Sequence, residues 1–147
     1  MKIWLAVVFC GVLAGGCAKE GESPPAPPAS PSASAALKPL PDEDPALAQK
    51  LVEDGALLLD VRSPEEFAAS HIKGANNVPI EDLAQDVSGV KKLASDPNRP
   101  IVVYCMSGGR AGRAKKVLTE AGYTQVTNLG GLSDWPDRAD IEKPSEK

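Results

Sequence analysis

Between Asp42 and Asp140 the apolar positions follow two different rhythms. ALLLDV (Ala56–Val61) and IVVY (Ile101–Tyr104) are near-continuous apolar runs of strand length, interrupted only at Asp60, the pattern of strands buried on both faces. Between them the spacing turns helical. Asp44-Pro45 reads as an N-cap and first helical position, ALAQKLVED carries apolar residues at helical intervals, and Gly55 stops it. SPEEFAASH (Ser63–His71) opens another short helix, with Ser63 as N-cap, Pro64 at the first position and Glu66 completing a capping box. Asn76–Ile80 is a short strand, EDLAQDV (Glu81–Val87) a short helix and SDPNRP (Ser95–Pro100) a loop. RAGRAKKVLTEAGY is an amphipathic helix ending near Gly122. VTNLGG (Val126–Gly131) is a last strand and turn, and GLSDW begins a final short helix that Pro136 cuts short. Strands alternating with helices, the clearest strands apolar nearly throughout, predict an α/β fold layered on a largely parallel sheet. In open parallel sheets ligands bind beyond the carboxyl ends of the strands.

Outside that region the pattern changes. MKIWLAVVFCGVLAGGCA has a lysine at position 2 and no further charge until Lys19, which reads as a signal peptide too short and glycine-rich to span a bilayer comfortably. Its end, LAGGC (Leu13–Cys17), resembles the lipobox of bacterial lipoproteins, with small residues before a cysteine that becomes the lipidated N-terminus. Ala14 stands where leucine is usual, and Cys10 is a poorer candidate because bulky Phe9 precedes it. Half of the fourteen prolines fall between Pro24 and Pro41, so this stretch cannot bury a core and is expected to be an extended tether. The expected organisation is a leader over 1–16, a tether over 17–41, one folded domain over 42–140 and a tail over 141–147. The expected location is the periplasmic face of a bacterial envelope, with the membrane reached through lipid on Cys17. The net charge of -4 and isoelectric point near 5.0 argue against nonspecific nucleic-acid binding.

The leader changes the meaning of the cysteine count. Of three cysteines, Cys10 is discarded with the leader and Cys17 carries lipid, which leaves Cys105 as the lone thiol of an exported protein. It sits in YCMSGGRAG (Tyr104–Gly112), between an apolar strand and a helix. A glycine-bearing loop curling into a helix N-terminus can turn several N–H groups inward as an anion nest. The helix dipole, Arg110 and Arg113 add positive charge, and a sulfur at the centre is held as the nucleophilic thiolate. Met106, Ser107, Gly108, Gly109, Arg110 and Arg113 are therefore the candidate substrate-binding residues around a catalytic Cys105. Asp60 and Arg62 are read as structural, Glu65 and Glu66 as serving the helix start, and Trp135 as core, while His71, the only histidine, invites a general-base role. With one histidine and one remaining cysteine, no zinc site is expected.

Three segments in order resemble the single-domain rhodanese family: LLLDVRSPEEFAASHIKGANNVP (Leu57–Pro79), IVVYCMSGGRA (Ile101–Ala111) and NLGGLSDW (Asn128–Trp135), together spanning about Pro45 to Trp135. The resemblance implies a rhodanese-like three-layer fold with a central, mainly parallel sheet flanked by helices. It also implies sulfurtransferase chemistry: Cys105 takes a sulfane sulfur from thiosulfate or a persulfide and passes it to cyanide or a thiol, with no metal or organic cofactor. The persulfide would be held by the N–H groups of Met106 to Arg110. The resemblance to the family's H-I-x-G-A turn implies that His71 packs and hydrogen-bonds within its loop. Four residues separate Cys105 from Arg110, the shorter loop of sulfurtransferases; related phosphatases and arsenate reductases carry five. Met106 departs from the family pattern, which more often has a basic or polar residue there, and the glycine usual after Trp135 is missing. The alternative reading is a noncatalytic binding or sulfur-carrier module. A thiol-redox role is weakened by the lack of a resolving cysteine, and a protein sulfur acceptor is left unnamed.

Overall fold

The computed structural model describes residues 38–143. The leader, Cys17, the linker up to residue 37 and residues 144–147 of the tail lie outside the described residues.

The first helix, α1 (Pro45–Glu53), starts as its sequence dictates: the Asp44 carboxylate accepts the Leu47 N–H at 3.0 Å and Pro45 fills the first turn. It leads into β1 (Leu57–Asp60), one residue shorter at each end than the apolar run. α2 (Pro64–Ala69) carries the full capping box, with Ser63 Oγ accepting from Glu66 N and Glu66 Oε2 accepting from Ser63 N. Two short strands follow, β2 (His71–Ile72) and β3 (Asn76–Asn77). The expected strand Asn76–Ile80 is thus cut to its first two residues. Pro79 offers no N–H, and Ile80 already opens α3 (Ile80–Gln85). α4 (Ser88–Leu93), β4 (Ile101–Cys105), α5 (Gly109–Glu120) and β5 (Val126–Gly131) complete the α/β pattern. The final short helix is a single 3-10 turn, Leu132–Asp134; a second covers Arg138–Asp140 and leads to β6 (Ile141–Glu142).

The central sheet is parallel throughout, in the order β3-β1-β4-β5. Because successive side chains on a strand point to opposite faces, β1 and β4 each serve two cores. Leu57, Leu59, Ile101 and Val103 pack against α3, α4 and α5 through Leu83, Val90, Ala114 and Leu118. Leu58, Val102 and Tyr104 pack on the other side with Ala48 of α1, Ile72, Leu129 and Trp135. This two-sided burial is why both strands are apolar at every step but Asp60, and it makes Trp135 a core residue. Cys105 follows Val103 on the α5 side, so the end of β4 aims its sulfur at the start of α5.

Structured backbone continues past both sequence-read boundaries of the domain. Lys38 and Pro41 lie along β5, where the Lys38 carbonyl accepts from Gln125 Nε2 at 3.2 Å and the Pro41 carbonyl from Thr127 Oγ1. Asp42 Oδ1 accepts the Asn128 N–H at 2.9 Å, and Glu43 N donates to Asn128 O at 2.8 Å. At the other end β6 pairs antiparallel with β2, His71 opposite Glu142.

Candidate active site

Cys105 is the last residue of β4, 1 % exposed, in register with Gly131 of β5. The chain then turns through Met106 and Ser107 to Gly108, the N-cap of α5, whose φ of 85° and ψ of −24° lie in the left-handed region that suits glycine. That turn points the Gly108 N–H at Cys105 Sγ, 3.1 Å away. Burial alone raises the thiol, but hydrogen bonds from the backbone N–H groups of Ser107, Ala111, Arg110 and Gly108 outweigh it, and the Cys105 thiol sits below its usual value. Of these donors, Ser107, Gly108 and Arg110 lie within the expected run Met106–Arg110, and Ala111 lies one residue beyond it. Met106 still follows the strand edge, its carbonyl against Gly131, whereas Ala111 belongs to the helical turn facing the sulfur.

The other candidate residues divide. Met106 presents its side chain to solvent, 52 % exposed, and Ser107 and Gly109 are exposed beside it. Arg110 stands next to Cys105, whose sulfur helps hold its guanidinium protonated, but the stronger influence is Glu66. Its two terminal nitrogens bond the two carboxylate oxygens of Glu66 at 2.6 and 2.8 Å, a bidentate pair about one-third exposed. The Arg110 hydrogen bond, against the cost of burial, brings the Glu66 carboxyl down to about 2. Glu66 thus does more than start α2: it locks that helix to the first turn of α5, beside Cys105. Arg113, one turn along α5, is exposed and makes no ion pair among the described residues.

Asn128 escaped the sequence reading although it lies in the quoted NLGG segment. Its amide nitrogen donates to the Gly108 carbonyl at 3.3 Å, while its amide oxygen accepts from Gly130 N at 2.9 Å. It reaches the loop because the register of β4 and β5 shifts at Leu129: Val103 pairs with Asn128 and Tyr104 with Gly130. Asp134 completes this wall by accepting the Gly131 N–H at 2.7 Å.

Asp60 and Arg62 form a buried brace at the carboxyl end of β1. The Asp60 carboxylate accepts the Arg62 N–H at 2.9 Å and its side-chain N–H groups at 2.7 to 3.1 Å, and Arg62 donates onward to the Ser70 carbonyl. His71 stacks on Phe67, with ring centroids 3.9 Å apart, and places Nδ1 2.9 Å from the Phe67 carbonyl and Nε2 3.2 Å from Glu142. All three residues brace the structure, as their sequence context indicates.

The family model of the rhodanese-like domain matches residues 44–138, which contain this sheet, loop and helix. The chain belongs to the rhodanese-like family. This rhodanese-like domain is 40% identical over 76 residues to the thiosulfate sulfurtransferase PspE of Escherichia coli, covering 52% of this chain and 70% of that one. It is 32% identical over 92 residues to the thiosulfate sulfurtransferase GlpE of Pseudomonas aeruginosa, covering 62% and 79%. Among solved structures, a rhodanese with anions from E. coli superposes with a TM-score of 0.54 at 35% identity, over 60% of this chain and 99% of that one. The human single-domain sulfurtransferase TSTD1 does so with 0.52 at 29% identity, over 71% and 97%. A rhodanese-like domain with such relatives is an enzyme of the sulfurtransferase class.

Proposed function

We propose that this sulfurtransferase works through a persulfide on Cys105, taking a sulfane sulfur from thiosulfate or a persulfide and giving it to a thiophilic acceptor, cyanide or a thiol. The observation that carries this reading is the Gly108 N–H aimed at the buried Cys105 sulfur, 3.1 Å away, at the start of a twelve-residue helix whose first backbone N–H groups also lower the thiol. Those dipoles favour the thiolate, the nucleophilic form, and suit equally the anionic outer sulfur of a persulfide. With thiosulfate, the thiolate attacks the outer sulfur. A Cys105–sulfur bond forms as the donor's S–S bond breaks, and sulfite leaves with the electron pair. An acceptor nucleophile then attacks the outer sulfur of the persulfide and Cys105 leaves as thiolate, ready for another cycle. Every step is a displacement at sulfur that this chain's own groups support. Steady-state turnover of thiosulfate and cyanide to sulfite and thiocyanate is expected for the wild type and lost in Cys105→Ser. Turnover that survives the substitution would overturn the reading, and stable capture of a protein without turnover on any donor would favour the binding-module alternative.

For the full chain we propose attachment to the periplasmic face of a bacterial envelope through lipid on Cys17. The LAGGC segment and the proline-rich stretch after it support this. The mass of the mature N-terminal peptide tests it: a diacylglyceryl-cysteine start is expected, and an unmodified peptide beginning elsewhere would refute it.

A further inference from the structure

The charges around Cys105 bear on which donor it accepts. Arg110 is the full cation beside the sulfur, and both of its terminal nitrogens are engaged by Glu66. Arg62 is buried against Asp60, and Arg113 is exposed a turn away. With Glu66 ionised, the guanidinium charge is largely offset, and the thiolate is held chiefly by the backbone dipoles. Such a nest suits one negative charge. A thiosulfate dianion approaching a thiolate brings two more. A persulfide carried on an organic thiol brings at most one, and the exposed Met106 side chain at the loop offers apolar surface to its carbon part.

We propose that Glu66 is the specificity-determining residue for the sulfur donor: by neutralising Arg110 it biases the site toward organic persulfides and against dianionic thiosulfate. The proposal rests on the Cys105 persulfide reading. For the favoured donor the step is balanced without an outside oxidant. Cys105 thiolate attacks the outer sulfur of R–S–SH, the new S–S bond forms as the old one breaks, and RS⁻ leaves with the electron pair. It takes up the proton of the outer sulfur, so Cys105 persulfide anion and RSH result.

The test is single-turnover sulfur loading of the full chain, followed by intact mass, with thiosulfate and with 2-mercaptoethanol persulfide. Glu66→Gln removes the charge yet preserves the capping box, which accepts glutamine at that position. Because Coulomb energy scales with donor charge, thiosulfate loading is expected to rise about tenfold and loading from the neutral persulfide R–S–SH to change little. The ratio between donors therefore moves toward thiosulfate. Glu66→Asp, which keeps the charge, restores the wild-type ratio. Glu65→Gln, which removes an exposed charge one residue away, leaves it unchanged. An unaltered donor ratio in Glu66→Gln, or an equal fall for both donors, would overturn the proposal and reduce Glu66 to a structural brace. Absence of loading from either donor in the wild type would instead overturn the persulfide reading beneath it.

Discussion

Replacing Gly131 by alanine puts a methyl group where the fold has no space. A Cβ there would overlap the Met106 carbonyl oxygen and lie 3.1 Å from its carbon and 3.4 Å from Asp134 Oδ2. The first two are backbone atoms and cannot swing aside as a long side chain would. To restore a tolerable contact, β5 and the residue after Cys105 must part by more than half an ångström. Met106 is covalently joined to Cys105, so that displacement is felt at the sulfur and at the N–H groups around it. Overpacking of this kind costs about 1–3 kcal/mol. For a domain of this size that corresponds to a melting temperature lower by roughly 5–15 °C. A misplacement of about 1 Å in a catalytic array can cost about a hundredfold in rate. The expected outcome is a folded but less stable protein whose second-order rate of sulfur loading falls by about two orders of magnitude. Thermal unfolding by circular dichroism and loading followed by mass spectrometry measure the two effects on one sample. Wild-type loading together with a wild-type melting temperature would refute the argument, because it would mean the strand accommodates the methyl without moving the loop.

Other outcomes follow from the same geometry. Asp60→Ala strands the Arg62 guanidinium in a site where it is 1 % exposed, so denaturant unfolding should show a loss of about 3–5 kcal/mol; a loss below about 1 kcal/mol would mean the brace behaves like a surface pair. The rate of Cys105 alkylation by iodoacetamide should reach half its maximum below the ordinary thiol value of about 8.5, and a midpoint at or above that value would contradict the nest. Glu66 is held at about 2 against an ordinary 4.5, so its contribution to stability is present above the ordinary value and lost as pH falls through the window between them. Urea midpoints for wild type and Glu66→Gln should therefore converge as pH drops across that window, and a constant gap would disprove the coupling to Arg110.

What the sequence made legible is what local chemistry decides. The Asp44-Pro45 start and the Ser63–Glu66 capping box involve residues three or four apart, so their partners are visible in the string. The two central strands declare themselves because both faces are covered. Cys105 could be placed at the sheet's binding edge because β4 runs directly into it. Long-range partners were hidden. Glu66 and Arg110 are 44 positions apart, and nothing in the capping box announces that the same carboxylate will reach the loop. Asn128 acts on Gly108 only because the register slips at Leu129, which no alternation pattern shows. β2 and β6 contribute two residues each, too few for a periodic signal, and pair His71 with Glu142, distant in the sequence. α4, SGVKKL, is a single helical stretch with one buried residue, Val90, and so lacks the apolar stripe that identified α5.

The central claim is that Cys105 carries the transferred sulfur, and intact mass after brief exposure to a sulfane donor tests it most directly. The account predicts that the wild-type chain gains the mass of one sulfur atom, that the fragment bearing it contains Cys105, and that cyanide removes it. Cys105→Ser should gain none. A wild type that stays unmodified with every donor, or a Cys105→Ser chain that gains sulfur equally, would contradict it.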